Sequence, residues 1–326
     1  MSEVITIGEP LVNFCSEEPD ISLTDALEFH KVMGGAELNV AIGVRKLGHS
    51  IEYVTRVGQD PMGKFIQKAL AAHDVGTSYV SYDDVYYTGH QMKQLVTQGD
   101  PVVVNYRRDS AASHLEARQL EKIDLSDVKI AHTTGIFPAI SPIAEKTFRS
   151  FYQKLIAAQK LITFDPNLRP SLWKSKDYMI KTINDIAGMA DIVLPGINEG
   201  KTLVGTDNPN EIADFYLNGE RTHAVIIKLG DQGVFVKTDQ GQKYTIPSFK
   251  AEKVVDTVGA GDGFALGLIT ALLEKKNLKA AAMRGNAVGC LQVQTLGDND
   301  GYPNQEELQQ FYAKQGVSED EFANQA

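Results

Sequence analysis

The stretch Val254–Leu272, VVDTVGAGDGFALGLITAL, sets Gly259, Ala260 and Gly261 directly ahead of Asp262. With almost no side chain in the way, a backbone can approach a ligand closely, and successive N–H groups at a helix N-terminus form a ready anion site. Phe264, Leu268 and Leu272 recur every four residues, which predicts a helix that starts near Asp262 and buries one face. Asp262 would then stand beside the bound anion and act on its neighbour. Read alone, the same residues also describe a tight turn with Asp262 as its N-cap.

Three other groups of residues have chemistry to offer. Gly34 and Gly35 precede a helical pattern that carries Asn39, either as a turn or as a close approach to a ligand. FDPNLRPSLW places Asp165, Asn167 and Arg169 after an apolar strand. Polar residues at a strand's C-terminal end are where open α/β sheets bind ligands, although a Pro-rich turn in which Arg169 pairs with Asp165 fits as well. YRRDSAAS, Tyr106–Ser113, brings an arginine pair. The planar guanidinium suits a carboxylate, and the plainer alternative is an exposed basic pair on a sheet edge. The seven histidines and two cysteines show no metal spacing.

Elements that could hold these groups follow from periodicity. EVITIGE and IEYVTRVG read as strands, residues 36–47 as a helix stopped by Gly48, and DPMGKFIQKALAAHDV as a helix opened by Asp-Pro. HQMKQLVT and PVVVNYR read as strands around the turn QGDP. After residue 120 strands alternate with helices: VKIAHTTG, SPIAEKTFRSFYQKLIAAQ, KLITFDPN, ADIVLPG and NEGKTLVG. THAVIIKLGDQGVFVKT is strand, turn, strand, and two helices close the series. That rhythm predicts an α/β fold with a mostly parallel central sheet and helices on both faces. The β-rich segments before residue 115 do not fit it and are expected to form a small projecting sheet.

The 326 residues carry a formal net charge of -10, with 43% hydrophobic and 23% charged residues. This composition suits a globular chain with a real core, and an acidic balance argues against nucleic acid. The N-terminus lacks a basic region followed by an apolar run, and no apolar stretch approaches a membrane span. A cytoplasmic protein without membrane or nucleic-acid partners is expected. The acidic tail GVSEDEFANQA reads as a solvated end.

DTVGAGDGFALG resembles the C-terminal signature of the ribokinase-like (PfkB) carbohydrate kinases at nearly every position, and GGAELNVAIGVRKLG, Gly34 to Gly48, resembles their N-terminal signature. VGQDPMGKFI, IIKLGDQGVFV and GNAVG are similar to further family segments, in order from Val4 to about Pro303. The resemblance implies a single ribokinase-like domain over residues 1–326 with a β lid from about 10–33 and 84–114. It implies that a sugar hydroxyl attacks the γ-phosphorus of ATP with Mg²⁺ on the phosphates, Asp262 as base, and the amides of Gly259, Ala260, Gly261 and Asp262 stabilising charge. It leaves room for a monovalent cation, and it implies a homo-oligomer joined through the lid.

By the same resemblance Gly34, Gly35, Asn39, Arg169 and Asp298 would hold the sugar, and Asn167, Arg169, Lys228, Gly230, Gly233 and Asn286 the nucleotide. YRRDSAAS is similar to the segment with which 2-keto-3-deoxygluconate kinases hold their substrate, with Tyr106 and Arg107 as the matching pair. Three positions depart from the pattern. Asn105 stands where an aromatic residue is common. Asn13 replaces a frequent aspartate. Gly196 opens what is often N-x-x-E, leaving Glu199 as the acid that would order metal-bound water. A sugar-acid kinase is the expected function, with a fructokinase-type enzyme and a non-catalytic sugar binder as rivals. A dinucleotide-dependent dehydrogenase is set aside, because no G-x-G-x-x-G follows the first strand.

Overall fold

The computed structural model describes residues 2–97, 99 and 101–319. Strands β1 (Val4–Ile7), β2 (Leu11–Ser16) and β3 (Phe29–Gly34) lead into helix α1 (Ala36–Lys46), then β4 (Ile51–Gly58), α2 (Pro61–Ala72), β5 (Val80–Asp83), β6 (His90–Lys93) and β7 (Val103–Tyr106). The alternating half follows: β8 (Ile130–Thr134), α3 (Pro142–Ala157), β9 (Leu161–Asp165), α4 (Lys176–Ala187), β10 (Ile192–Val193), α5 (Ile197–Val204), α6 (Pro209–Leu217) and β11 (Ala224–Lys228). The chain ends with β12 (Val234–Thr238), β13 (Lys243–Ile246), α7 (Ala260–Leu273), α8 (Leu278–Gln292) and α9 (Gln305–Gln315).

Among the described residues, nine strands form the main sheet in the order β13-β12-β11-β10-β9-β8-β1-β4-β5. All neighbours are parallel except the β11–β12 and β12–β13 pairs. Successive side chains of a strand point to opposite faces, so the sheet feeds two cores. Val4, Ile192 and Ile226 pack with α1, α7 and α8 on one face, while Ile5, Val193, Val225 and Ile227 pack with α3, α4 and α6 on the other. Helix starts follow local chemistry. Asp60 accepts from Gly63 N at 2.7 Å ahead of Pro61, and Ser141 caps α3 through Ala144 N.

The β-rich N-terminal segments form a separate sheet, β3-β2-β6-β7, in which β2 runs antiparallel to β3 and parallel to β6, and β6 antiparallel to β7. Its last two strands are shorter than their sequence patterns, and Gln98 and Asp100 of the QGDP turn lie outside the described residues, as do residues 320–326 of the acidic tail.

The helix expected near Asp262 begins two residues earlier and is buried all round from Asp262 to Ala271, not on one face. Small residues make this possible. A Cβ on Gly267 would lie 2.8 Å from the Arg284 carbonyl oxygen, so glycine lets α8 cross α7 at backbone contact. Leu266 fills the corresponding space at Gly43 of α1.

Candidate active site

Gly259 is the residue before α7, with φ 79 and no capping side chain. Glycine is needed there, because a Cβ would fall 1.9 Å from the Asp298 carbonyl oxygen as well as meeting the positive φ. The Tyr302 hydroxyl donates to the Gly259 carbonyl at 2.8 Å and fixes the turn. Asp262 therefore sits inside the first turn and does not cap the helix. Its Oδ2 accepts from Asn39 Nδ2 at 2.8 Å, and its Oδ1 from Asn167 Nδ2 at 3.4 Å. Burial pushes the Asp262 carboxyl up to about 7. The Asn39 hydrogen bond opposes the rise, the charges of Asp165 and Glu37 add to it, and Arg169 opposes it.

Two cavities meet at this turn. The first, about 620 Å³, reaches Asp262 from under the small sheet, and Gly35, Asn39, Asn167, Arg169 and Asp298 line it. The second, about 630 Å³, lies beyond the turn and is lined by Ala260, Gly230, Gly233, Asn286 and the apolar Phe249, Phe264 and Val293. Lys228, Thr257 and Gly261 border both. Around Gly261 little crowds the backbone: the nearest atoms to a notional Cβ are Lys228 Nζ at 3.7 Å and Asp165 Oδ2 at 4.0 Å. A ligand bridging both cavities would pass this backbone and the Asp262 carboxylate.

The strand ends supply the charges. Lys228, at the end of β11, donates to Asp165, at the end of β9, at 2.5 Å. Burial lowers the Lys228 ammonium, but the carboxylates of Asp165 and Glu199 outweigh it and hold the group above its ordinary value. Glu199 lines the first cavity, and both its oxygens serve backbone amides, Gly196 N at 2.7 Å and Leu168 N at 2.8 Å. It thus caps α5 and pins the loop that carries Asn167 and Arg169. Among the described residues no group of three or more His, Cys, Asp or Glu is placed to hold a metal ion. Asn167 has φ 39, an uncommon conformation for which asparagine is among the better-suited residues. Arg169 Nη1 donates to nearby carbonyls, Leu168 O at 3.0 Å and Asn167 O at 3.4 Å.

The small sheet covers the first cavity with one face. Gln91 and Lys93 of β6, with Val103, Asn105 and Arg107 on and after β7, line it. Strand alternation sends Tyr106 the other way: half exposed, it stacks on His90 at 5.2 Å and is not in the cavity wall. The expected Tyr106–Arg107 pair is therefore split, and Asn105 shares the cavity with Arg107. Gly34 stands behind the wall, where a Cβ would lie 2.4 Å from Asn13 Nδ2 and 2.8 Å from Asp298 Oδ2. Asn13 donates to Asp298 at 3.2 Å, and burial raises the Asp298 carboxyl.

Several contributors escape the sequence analysis. Glu9 is buried and binds Arg107, and it also accepts from the Ser110 hydroxyl. Glu37, pushed up to about 7 by burial against a Thr134 hydrogen bond, lines the same cavity. No periodicity marks a lone buried acid. Gln91 and Lys93 were legible in principle, since HQMK alternates on a strand. Lys93 also reaches Asp256, at 3.3 Å, just ahead of the glycine turn.

Residues 1–320 match the model of the pfkB family carbohydrate kinases. The chain is 40% identical over 314 residues to a 2-dehydro-3-deoxygluconokinase of Bacillus subtilis, covering 96% of each protein. It is 30% identical to a probable fructokinase-7 of Arabidopsis thaliana, over 94% of this chain and 91% of that one. A PfkB protein from Polaromonas superposes with a TM-score of 0.87 at 38% identity, covering 95% of this chain and 99% of the other. An uncharacterized sugar kinase from Pyrococcus horikoshii, solved in complex with ATP, gives 0.82 at 27%, covering 98% and 99%. The expected ribokinase-like fold, with its mostly parallel sheet and smaller second sheet, is thereby met. The two signatures and the cavities between them come from a chain that belongs to the pfkB family of carbohydrate kinases.

Proposed function

We propose that the protein phosphorylates 2-keto-3-deoxygluconate at its terminal C6 hydroxyl, using ATP and giving 2-keto-3-deoxy-6-phosphogluconate and ADP. The observation that carries the reading is the buried Asp262 carboxylate at the seam of two cavities. The sugar oxygen forms a bond to the γ-phosphorus, the bond from that phosphorus to the β,γ-bridging oxygen breaks, and the hydroxyl proton passes to Asp262. The N–H groups of Gly259, Ala260, Gly261 and Asp262 stabilise charge on the transferring group. Apolar Phe249, Phe264 and Val293 suit the nucleotide base, with Lys228, Gly230, Gly233 and Asn286 completing that side. Mg²⁺ carried by the nucleotide would supply charge neutralisation at the phosphates. Each Glu199 oxygen accepts one amide and keeps a further acceptor site, with which this cavity-lining carboxylate would order metal-bound water.

An acidic substrate is supported by Lys93, Arg107 and Arg169 in the first cavity, with Gly35, Asn39 and Asp298 for the hydroxyls, and by the 40% identity to a 2-dehydro-3-deoxygluconokinase. One observation favours a neutral hexose instead: Arg107 is already paired with Glu9. A coupled ATP assay over a panel of sugars and sugar acids separates the two. The highest kcat/KM for 2-keto-3-deoxygluconate is expected, and a higher value for fructose or ribose overturns the acid reading. Exposed Val102, Val104 and Tyr106 on the outer side of the small sheet support the homo-oligomer read from the sequence. Among the described residues no helix is long and apolar enough to cross a membrane. Use of ATP suits a cytoplasmic place.

A further inference from the structure

The loop after α8 carries two adjacent residues with different neighbours. Asp298 faces the first cavity, whereas Asn299, 7% exposed, turns inward and donates Nδ2 to Asn39 Oδ1 at 3.0 Å. Asn39, 3% exposed, donates its own Nδ2 to Asp262 Oδ2 at 2.8 Å. The loop is held in place from both sides. Lys46 Nζ donates to the Asn299 and Tyr302 carbonyls at 3.4 and 3.1 Å, and Gln292 Nε2 to the Gly297 carbonyl at 2.6 Å.

A side-chain amide has one accepting end and one donating end. The Asn299 NH₂ on the Asn39 oxygen and the Asp262 carboxylate on the Asn39 NH₂ select the same amide orientation, and Asn299 locks it from behind. We propose that Asn299 is a positioning residue for the reaction: by donating to the Asn39 oxygen, it presents the Asn39 NH₂ to the Asp262 carboxylate and keeps that carboxylate ionised and aimed. The inference deepens the proposed function and rests on Asp262 being its base. Other groups also act on Asp262. Asp165 and Glu37 disfavour its charge, Arg169 favours it, Lys228 and Tyr302 interact with it, and Asn167 donates to its other oxygen at 3.4 Å. The Asn39 bond is the shorter of the two to this carboxylate, and a second residue fixes its direction.

The test is a titration of Asp262 in protein labelled with carboxyl-¹³C aspartate, its signal assigned with Asp262→Asn, alongside kcat/KM against pH. Asn299→Asp keeps the shape but offers Asn39 only acceptors, so Asn39 turns its NH₂ away from Asp262. Loss of one charge-assisted bond is expected to move the Asp262 titration and the acid limb of kcat/KM upward by about one pH unit. Asn299→Leu releases the Asn39 oxygen without adding charge, so both should move the same way by a smaller amount, which separates the loss of the lock from the added charge of Asn299→Asp. In an Asn39→Leu background Asn299→Leu should change nothing further. An Asp262 titration unmoved by Asn299→Leu, or moved equally in the Asn39→Leu background, overturns the proposal. Normal turnover by Asp262→Asn would instead defeat the assignment of the base, and the carboxyl titration would still decide what Asn299 does.

Discussion

Arg107 gives two of its N–H groups to a single oxygen of Glu9, Nε at 2.7 Å and Nη2 at 2.5 Å, and the Glu9 side chain is wholly buried. The contact joins the turn after β1 to the end of β7, so it ties the small sheet to the main one. It also offsets part of the Arg107 charge, while Arg107 still lines the first cavity.

Arg107→Ala should for this reason have two separable effects. Removing one partner of a buried pair leaves an uncompensated carboxylate and costs about 3–5 kcal/mol. Arg107→Ala with Glu9→Gln should recover most of that stability, measured by thermal melting. The KM for the sugar acid should stay raised by about one to two decades in both variants, since the charge-assisted bond to substrate is missing. Arg107→Lys should rescue only in part. A double variant with the native KM would remove Arg107 from the substrate.

Ala260→Leu tests the backbone approach. Ala260 opens α7 and borders the second cavity. A larger side chain there should obstruct phosphate without unfolding the helix, so ATP affinity or turnover should fall sharply while circular dichroism stays native. Unchanged kinetics would reduce the glycine turn to a structural feature.

The same turn shows how far the sequence could be read. Read alone, Gly259, Ala260, Gly261 and Asp262 fitted an N-cap turn as well as an anion site, and it was their resemblance to a family signature that favoured the site; the structure puts Asp262 inside the first turn, beside the first cavity. The two-faced sheet was legible from strand and helix periods. Total burial of α7 was not, because it depends on Gly267 meeting Arg284 in a helix that lies next in sequence but packs by tertiary contact. Tyr106 was misjudged for a simpler reason: adjacent residues on a strand face opposite ways, and Tyr106 and Arg107 cannot share a cavity wall as neighbours. Glu9 and Glu37 left no trace, since a buried acid is defined by partners far along the chain.

Arg284 offers a stability test away from the site. It is 1% exposed and gives Nε and Nη2 to Glu319 and Nη1 and Nη2 to Glu274. Arg284→Met would strand two carboxylates, costing about 3–5 kcal/mol, and should lower Tm by on the order of 5–10 °C. Asp262 and the cavity walls are not touched, so kcat of the folded fraction should stay near native. A variant that melts normally would show that the cluster contributes no net stability.

Asp262 carries the most direct prediction, and it has a kinetic and a thermodynamic side. The base must be ionised to accept the hydroxyl proton, so kcat/KM should fall as pH drops through about 7. Asp262→Asn should cost about 10²–10⁴-fold in kcat and lose that limb, with circular dichroism unchanged. The thermodynamic side runs the other way. The folded carboxyl lies well above the ordinary aspartate value of about 3.9, at about 7. Between those values the folded state binds more protons than the unfolded one, so this group makes the protein less stable as pH rises through the window. Asp262→Asn removes the effect. Its Tm relative to the native protein should climb between about pH 4 and pH 7 and level off above. A Tm difference that is flat across that range would mean the carboxyl titrates normally, and an Asp262→Asn enzyme with native turnover would mean it is not the base.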